Sequence, residues 1–184
     1  NYKRPLPNGV GSGALNFLDP ANSDFFTISH AMSSAGQALR QTRPCIITQR
    51  DRSKTILIAD SGGYQIANGR SHLHPTRDRL AILRWMERHA DYAMTLDVPT
   101  GPVRKRGYLY SSFRDCLTAT LDHLEFFRAN RKTTGLKLLN VLQGNTPDEA
   151  DQWYDAVKAY EFEGWAFAGV LRHNMYHVCR RIIT

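Results

Sequence analysis

The chain has 184 residues, of which 42% are hydrophobic, and these amounts suffice for one domain with a buried core. No run approaches the roughly eighteen consecutive apolar residues of a membrane-spanning helix, and no apolar stretch follows the first basic residues, so we expect neither a membrane protein nor a signal peptide. The net charge of +7 favours a polyanionic partner such as a nucleic acid.

The three cysteines are an odd number at wide, irregular spacing: Cys45, Cys116 and Cys179. This pattern is typical of free thiols in a reducing compartment. We therefore expect a cytoplasmic protein.

Short apolar runs alternate with helical patterns along most of the chain. Residues 1–24 are rich in Gly, Pro and Asn, which predicts an irregular N-terminal segment. Strands are predicted over residues 44–48, 55–59, 92–96, 137–142 and 165–168, and helices over 77–90, 112–129 and from 146 onward. Continuous apolar runs favour parallel strands covered on both faces, and the alternation predicts an α/β fold. The pattern alone does not separate an open sheet from a barrel.

Two helical segments carry more specific predictions. In the helix over 77–90, Leu80, Leu83 and Met86 have the spacing of a buried face. In the last helix, Thr146 is the expected N-cap, with Pro147 at the first helical position and Glu149 completing a capping box.

Polar residues cluster where the predicted strands end. The clusters are Asp60-Ser-Gly-Gly-Tyr-Gln65, Asp97-Val-Pro-Thr100, Gln143-Gly-Asn145 and Ala168-Gly-Val170. In parallel α/β folds the carboxyl ends of the strands line the active site. We therefore expect four successive strand ends to face one pocket.

These clusters resemble the motifs of the tRNA-guanine transglycosylase family. The segment 60–65 is similar to that family's signature hexapeptide. Leu96-Asp97 with Pro99-Thr100, Val141-Leu-Gln-Gly144 and Ala166-Phe-Ala-Gly169 follow in the family's order and roughly at its spacing, over about residues 25 to 175. The resemblance implies a parallel (β/α)8 TIM barrel. It also implies exchange of guanine in a nucleic acid for a 7-deazaguanine such as queuine or preQ0, through a covalent glycosyl-enzyme intermediate on an aspartate.

The resemblance also implies a role for each motif residue. Asp60 would be the general acid/base, with Ser61 beside it, and Tyr64 would stack on the base. The implied substrate-binding residues are Ser61, Gly62, Gly63, Tyr64, Gln65, Asp97, Gln143 and Gly169.

The residue types fit this chemistry independently of the resemblance. A carboxylate accepts both the N1–H and the 2-amino group of guanine, an amide or backbone N–H serves O6, and an aromatic ring stacks on the base. Asp97, Gln143, Gly169 and Tyr64 supply those groups, which leaves Asp60 for proton transfer or nucleophilic attack. Gly62 and Gly63 would let the backbone approach a ligand closely.

Each of these residues also has a structural alternative. Asp60 could cap the turn after its strand, Asp97 could be a loop acid, Gln143 could satisfy a helix terminus, and Tyr64 could belong to the core. His173 and His177 have a zinc-binding spacing but lack the intervening Glu of the protease motif, so we expect a surface or core role. No metal or cofactor site is predicted within the chain.

The sequence departs from the family pattern in ways that bear on the substrate. The usual Gly-Gly of the fourth block is Ala168-Gly169 here, and the family's Cys after the second block is absent. The stretch from Gln143 to Trp165 is more similar to the branch that modifies DNA in phages and bacteria. We expect a nucleic-acid partner, DNA before tRNA. The alternatives are the tRNA enzymes of queuosine and archaeosine synthesis, a non-catalytic nucleic-acid-binding relative, and an unrelated barrel enzyme.

The chain is shorter than a complete barrel, which needs about 200 to 250 residues. We expect residues 1–184 to be the N-terminal portion of the domain and to be inactive alone. In the family, the nucleophilic aspartate follows the fourth block by about fifty residues, and a zinc-binding Cys/His cluster comes later, so both are expected beyond Thr184. The oligomeric state is left open, with a homodimer as one option.

Overall fold

The computed structural model describes Leu18 and residues 27–69, 71–132 and 135–168. Apart from Leu18, the predicted irregular segment 1–24 lies outside these described residues, as do Gly169, Cys179 and the His173–His177 pair.

Strands and helices alternate through the described ranges. The strands are β1 (His30–Ser34), β2 (Ile56–Asp60), β3 (Tyr92–Met94), β4 (Lys137–Leu142) and β5 (Gly164–Phe167). The helices are α1 (Ala35–Ala38), α2 (Gly63–Ala67), α3 (Arg79–His89), α4 (Phe113–Asn130) and α5 (Pro147–Val157), with 3₁₀ turns at Ile46–Gln49 and Lys158–Tyr160.

The strands form one parallel sheet in the order β1-β2-β3-β4-β5. Each strand pairs with the next one along the chain, and helical segments connect them. The predicted α/β class with parallel strands is confirmed. Since such crossovers are right-handed in nearly all proteins, a strictly sequential order places the connecting helices on one face of the sheet.

The core lies between this helical layer and the sheet. Alternate strand residues face it: Leu57, Ala59, Ala93 and Leu138 pack with Ile82, Leu83, Met86 and Phe127 of α3 and α4. A second cluster joins Leu142 and Val98 to α4 and α5 around the buried Trp153, whose indole N–H donates to the Val141 carbonyl oxygen at 2.8 Å. The intervening residues of β2, including Ile58 and Asp60, are half-buried and belong to the opposite face.

The first predicted strand is wrong. Residues 46–49 form a 3₁₀ turn, in which the Thr48 N–H donates to the Cys45 carbonyl, and the first strand is His30–Ser34. A run of three apolar residues after Pro44 does not distinguish a turn from a strand. The residues of β1, His-Ala-Met-Ser-Ser, give no apolar run; among the described residues β1 pairs with β2 alone, and Met32 is largely exposed.

The helix boundaries agree closely with the predictions, but one predicted face does not. Leu83 and Met86 are buried, whereas Leu80 is 42% exposed and Ile82 takes its place in the core. Arg79 lies on the inner side of the first turn instead, with its guanidinium 4.0 Å from the centre of the Phe126 ring. This cation–π contact turns the buried stripe by one residue.

The N-cap predicted for α5 is confirmed. The Thr146 hydroxyl accepts a hydrogen bond from the Glu149 N–H at 3.2 Å, and Pro147 occupies the first turn. The Glu149 carboxylate accepts from the N–H of Asn145 at 2.7 Å, one residue before the position of an ordinary capping box. The cap therefore fixes the loop that joins β4 to α5.

A buried ion pair ties the amino ends of β2 and β3 together. The fully buried side chain of Arg50 donates to Asp91 at 2.5 Å, to the Thr55 carbonyl at 2.8 Å and to the His89 carbonyl at 2.9 Å. Asp91 also accepts from the Leu57 N–H at 2.7 Å. Both charged groups thus have several hydrogen-bond partners at this end of the sheet.

Candidate functional site

The polar clusters singled out in the sequence lie at the carboxyl edge of the sheet. Asp60 ends β2, Asp97 follows β3 by three residues, and Gln143 immediately follows β4. Since β2, β3 and β4 are parallel neighbours, these three side chains come from adjacent positions along one edge. The clusters at 60–65, 97–100 and 143–145 therefore lie along one edge of the sheet, and that they face one pocket stays a prediction.

Asp97 and Gln143 form the centre of this edge. Both are buried, 7% and 3% exposed, and Gln143 Nε2 donates to Asp97 Oδ2 at 2.6 Å. The pKa of Asp97 is raised from 3.8 to about 7, mainly by burial; the hydrogen bond from Gln143 lowers it, and the nearby charge of Asp60 raises it. At neutral pH this carboxyl group can therefore either accept hydrogen bonds as an anion or donate one as an acid.

Asp60 is a second perturbed carboxylate. Burial raises its pKa, while hydrogen bonds from the Ser34 hydroxyl and from the N–H groups of Gly62 and Ser61 lower it. The Gly62 N–H lies 3.1 Å from Asp60 Oδ2. A carboxyl group whose pKa is moved toward neutrality is suited to proton transfer.

The glycines after Asp60 are in contact with neighbouring loops. A Cβ on Gly63 would lie 2.2 Å from the Asp97 carbonyl oxygen. Gly62 has a φ of +82°, and a Cβ there would lie 3.0 Å from Gly36 Cα. Both positions thus need glycine so that the segment after β2 can pack against α1 and the loop after β3, and the predicted approach of these glycines to a ligand stays a prediction.

The other residues of the 60–65 segment divide between the interior and the surface. Ser61 is buried, and its hydroxyl accepts from the Gly63 N–H at 3.3 Å. Tyr64 is 41% exposed in α2, so the core alternative for this residue is wrong. The amide oxygen Oε1 of Gln65 is buried without a hydrogen-bond partner among the described residues. Tyr64 therefore offers an accessible aromatic ring beside a buried acceptor that can still take a hydrogen bond.

Helix α4 holds the backbone on both sides of Asp97, which the sequence analysis missed. His123 Nδ1 donates to the Leu96 carbonyl at 3.0 Å, and the Thr120 hydroxyl accepts from the Val98 N–H at 2.9 Å. Burial lowers the pKa of His123 and so favours the neutral ring, which donates this bond in its Nδ1–H tautomer. The available signal was a Thr and a His on the stripe that also carries Leu124 and Phe127, where buried polar groups need partners.

Within the described residues, no group of three or more His, Cys, Asp or Glu side chains is arranged to hold a metal ion. No helix in that part of the chain is long and apolar enough to cross a membrane. No protein-family model matches the chain, and no curated protein matches it significantly.

Proposed function

We propose that this chain carries the base-recognition part of a guanine transglycosylase, which exchanges guanine in a nucleic acid for a 7-deazaguanine such as preQ0. The observation that carries the proposal is the buried Asp97–Gln143 pair at the carboxyl edge of a parallel sheet, with a second carboxylate, Asp60, close enough to shift the pKa of Asp97. Burying an acid without a cationic partner costs folding free energy, so its retention favours a functional role.

The hydrogen-bonding groups of the pair match the edge of guanine. Ionised Asp97 accepts the N1–H and 2-amino protons together. The amide nitrogen of Gln143 has two protons, one of which is given to Asp97, so the other is free to donate to O6. Adenine presents a donor where guanine has O6, and it lacks the N1–H, so the same pair disfavours it.

Asp60 and Tyr64 supply the remaining functions. As the C1′–N9 bond breaks, the nucleophilic aspartate that the resemblance implies bonds to C1′, and Asp60 donates a proton to the departing guanine. Asp60 then takes a proton from the incoming base, which bonds to C1′ as the aspartate leaves. The raised pKa of Asp60 suits both transfers. Tyr64 stacks on the base through its exposed ring.

The strand order supports the barrel that the resemblance implies. Doubly wound sheets reverse their strand order at a switch point, whereas a (β/α)8 barrel keeps it sequential, as β1 to β5 do here. We propose DNA as the acceptor, because the segment from Gln143 to Trp165 resembles the DNA-modifying branch, and the net charge of +7 suits either nucleic acid. A target guanine in duplex DNA must be flipped from the stack before exchange.

The recognition step is tested by calorimetric binding of guanine, hypoxanthine and adenine. Hypoxanthine keeps N1–H and O6 but lacks the 2-amino group, so we expect it to bind at least about tenfold more weakly than guanine. Asp97→Ala should abolish guanine binding, whereas the exposed-site control Asp115→Ala should not change it. Equal affinity for all three bases, or guanine binding to folded Asp97→Ala, would contradict the proposal.

The same assay has a pH dependence that follows from Asp97. Only the ionised carboxylate accepts both guanine donors, and its pKa is about 7. The ionised fraction falls roughly tenfold between pH 8 and pH 6, so the affinity for guanine should fall by about the same factor. In Asp97→Asn this pH dependence should disappear together with most of the affinity.

Exchange itself is tested by incubating the full-length enzyme with preQ0 and either duplex DNA or unmodified tRNA, followed by nucleoside mass spectrometry. A 7-deaza-2′-deoxyguanosine in the DNA digest is the expected result, and Asp60→Asn should prevent it. A product in the tRNA digest alone would replace the acceptor while keeping the chemistry. Guanine binding without exchange on either polymer would favour the non-catalytic alternative.

A further inference from the structure

A cavity with both polar and apolar lining lies close to the Asp97–Gln143 pair, outside the groups assigned to base recognition. It has a volume of about 580 Å³ and is formed by the loop between β3 and α4 and the loop between β4 and α5. Its lining includes Thr100, Arg104, Ser112, Phe113, Asn145 and Glu149. This volume is large enough for one nucleotide unit.

Two hydrogen bonds join the loops that form the cavity. Gln143 donates to Asp97, and two residues further along, Asn145 Nδ2 donates to the Thr100 carbonyl at 3.2 Å. The Asn145–Thr100 bond lies between residues that line the cavity, and the Gln143–Asp97 bond belongs to the base-recognition pair. A group in the cavity would therefore adjoin whatever the pair binds.

The β3–α4 side of the cavity attracts anions. Residues 101–114 contain four basic residues and no acid: Arg104, Lys105, Arg106 and Arg114. The N-terminus of the 18-residue helix α4 lies at the wall, where the Ser112 hydroxyl accepts from the Asp115 N–H and is itself hydrogen-bonded to the Asp115 carboxylate. Glu149 is the one acid among the lining residues, and its carboxylate already accepts from the Asn145 N–H. An anion is thus expected on the side of Arg104 and Ser112.

A second feature of the cavity is independent of the helix terminus. Thr100 is 1% exposed, and its hydroxyl has no hydrogen-bond partner among the described residues. Buried polar atoms without a partner are uncommon and cost stability. A hydroxyl retained in this state, in a residue that lines the cavity, indicates a ligand oxygen as its partner.

We propose that this cavity binds a phosphate group of the nucleic-acid strand, at a nucleotide next to the target guanine. Arg104 and the first turn of α4 bind the phosphate oxygens, and the Thr100 hydroxyl donates to one of them. This inference rests on the proposed function, because the neighbouring guanine pocket is what identifies the phosphate as part of a strand.

The test compares two arginines of the same loop. Arg104 lines the cavity, whereas Arg106 is exposed and does not line it, so Arg104→Gln and Arg106→Gln remove the same charge at different places. Binding of a fluorescein-labelled single-stranded decanucleotide with one guanine is measured by anisotropy over a range of salt concentrations. We expect about tenfold weaker binding for Arg104→Gln and less than about twofold for Arg106→Gln, with a salt slope smaller by roughly 0.7 in the former alone. Equal losses in the two variants would overturn the cavity site.

Inorganic phosphate is the second arm of the test. The oligonucleotide should bind at least about a hundredfold more tightly than inorganic phosphate, because a strand places its phosphate and guanine together. If inorganic phosphate binds as tightly as the oligonucleotide and depends equally on Arg104, the site takes a free anion and the assignment to a strand is wrong.

Thr100→Val distinguishes a ligand contact from a structural role. The substitution removes a hydroxyl without a partner, so thermal stability should stay the same or rise, while oligonucleotide affinity falls several-fold. A loss of stability without a loss of affinity would overturn the role of Thr100. Free guanine should bind both Arg104→Gln and Thr100→Val as it binds the wild type. If the wild type does not bind guanine, the proposed function fails, whereas the Arg104–Arg106 comparison still decides the cavity.

Discussion

At the amino ends of β2 and β3, the buried guanidinium of Arg50 is paired with Asp91 and donates to three further carbonyl groups. At the carboxyl ends of the same strands, burial raises the pKa of both Asp60 and Asp97, and neither has an ion-pair partner within the described ranges. The two ends are made from the same strands and bury charge in opposite ways. The Arg50 end satisfies its charged groups, whereas the carboxyl end leaves them able to bind something else.

This difference separates structural residues from candidate functional ones. Removing one partner of a buried, hydrogen-bonded charge pair strongly lowers the stability of the fold. A buried carboxyl group with a raised pKa lowers the stability of the fold whenever it is ionised, so its retention needs another explanation. Substitutions at the two ends should therefore change stability with opposite signs.

The largest effect is expected from Arg50→Met. It leaves the Asp91 carboxylate and the Thr55 and His89 carbonyls without their donor, and it should lower the free energy of unfolding by about 3–5 kcal/mol. Urea denaturation measures this change. Arg52→Met is the matched control, because exposed Arg52 makes one hydrogen bond, to the Arg88 carbonyl, and a loss there equal to that of Arg50 would erase the distinction between the two ends.

Asp97→Asn should act in the opposite direction. The pKa of Asp97 is about 7 in the folded protein against an ordinary 3.8, so the folded state holds the proton more tightly than the unfolded chain. Its ionisation therefore destabilises the fold progressively as pH rises from about 4 to 7. We expect Asp97→Asn to be more stable than wild type by about 2–4 kcal/mol at pH 8 and equal to it below pH 4. Denaturation curves at both pH values check this, and a destabilised variant at pH 8 would contradict it.

Gly63→Ala tests the packing between the loops of the carboxyl end. The added methyl group meets the Asp97 carbonyl oxygen, so the loops must move apart, at about 1–3 kcal/mol. The control is Gly101→Ala, where the new Cβ would lie 3.7 Å from the nearest neighbouring atom, Asn145 Oδ1. Thermal melts of the pair measure the effect, and equal melting temperatures would show that the contact is not tight.

The smallest effect is expected from Thr120→Val. It removes the acceptor of the Val98 N–H and should cost about 1 kcal/mol of stability. Because Val98 follows Asp97 directly, guanine affinity should also fall several-fold. Thr118→Val, on the exposed side of the same helix, should change neither quantity. An affinity that stays at the wild-type level in Thr120→Val would remove this positioning role.

The predictions from sequence succeeded for segments whose side chains are buried on both faces. Residues 137–142 form β4 as predicted, because a continuous apolar run fits a strand with both faces buried. β1 gave no such signal, because two of its five residues are exposed and none is fully buried, so its sequence has no apolar run. Leu80 failed because helical spacing gives the period of a buried face but not which residue lies at its centre.

For the candidate site, the sequence predicted where the polar residues lie in the fold better than it predicted their hydrogen-bond partners. Because the carboxyl ends of parallel strands lie at one edge of a sheet, the sequence alone predicted that Asp60, Asp97 and Gln143 lie at the same edge. The partners of Asp97 could not be inferred, because Gln143 is 46 residues away and Thr120 bonds to Val98 from 22 residues away. Such contacts depend on how α4 lies on the sheet, and no local pattern encodes that.

The contact between Gly63 and the Asp97 carbonyl has a consequence for descent. The two adjacent glycines are required by backbone in neighbouring loops, whatever the site binds. A descendant that lost both carboxylates, and with them any chemistry, would still be held to glycine at positions 62 and 63 for as long as the three segments pack in this way. In any lineage that shares this fold, the glycine pair is therefore constrained by the packing of the backbone, and this packing does not by itself require the acids at positions 60 and 97.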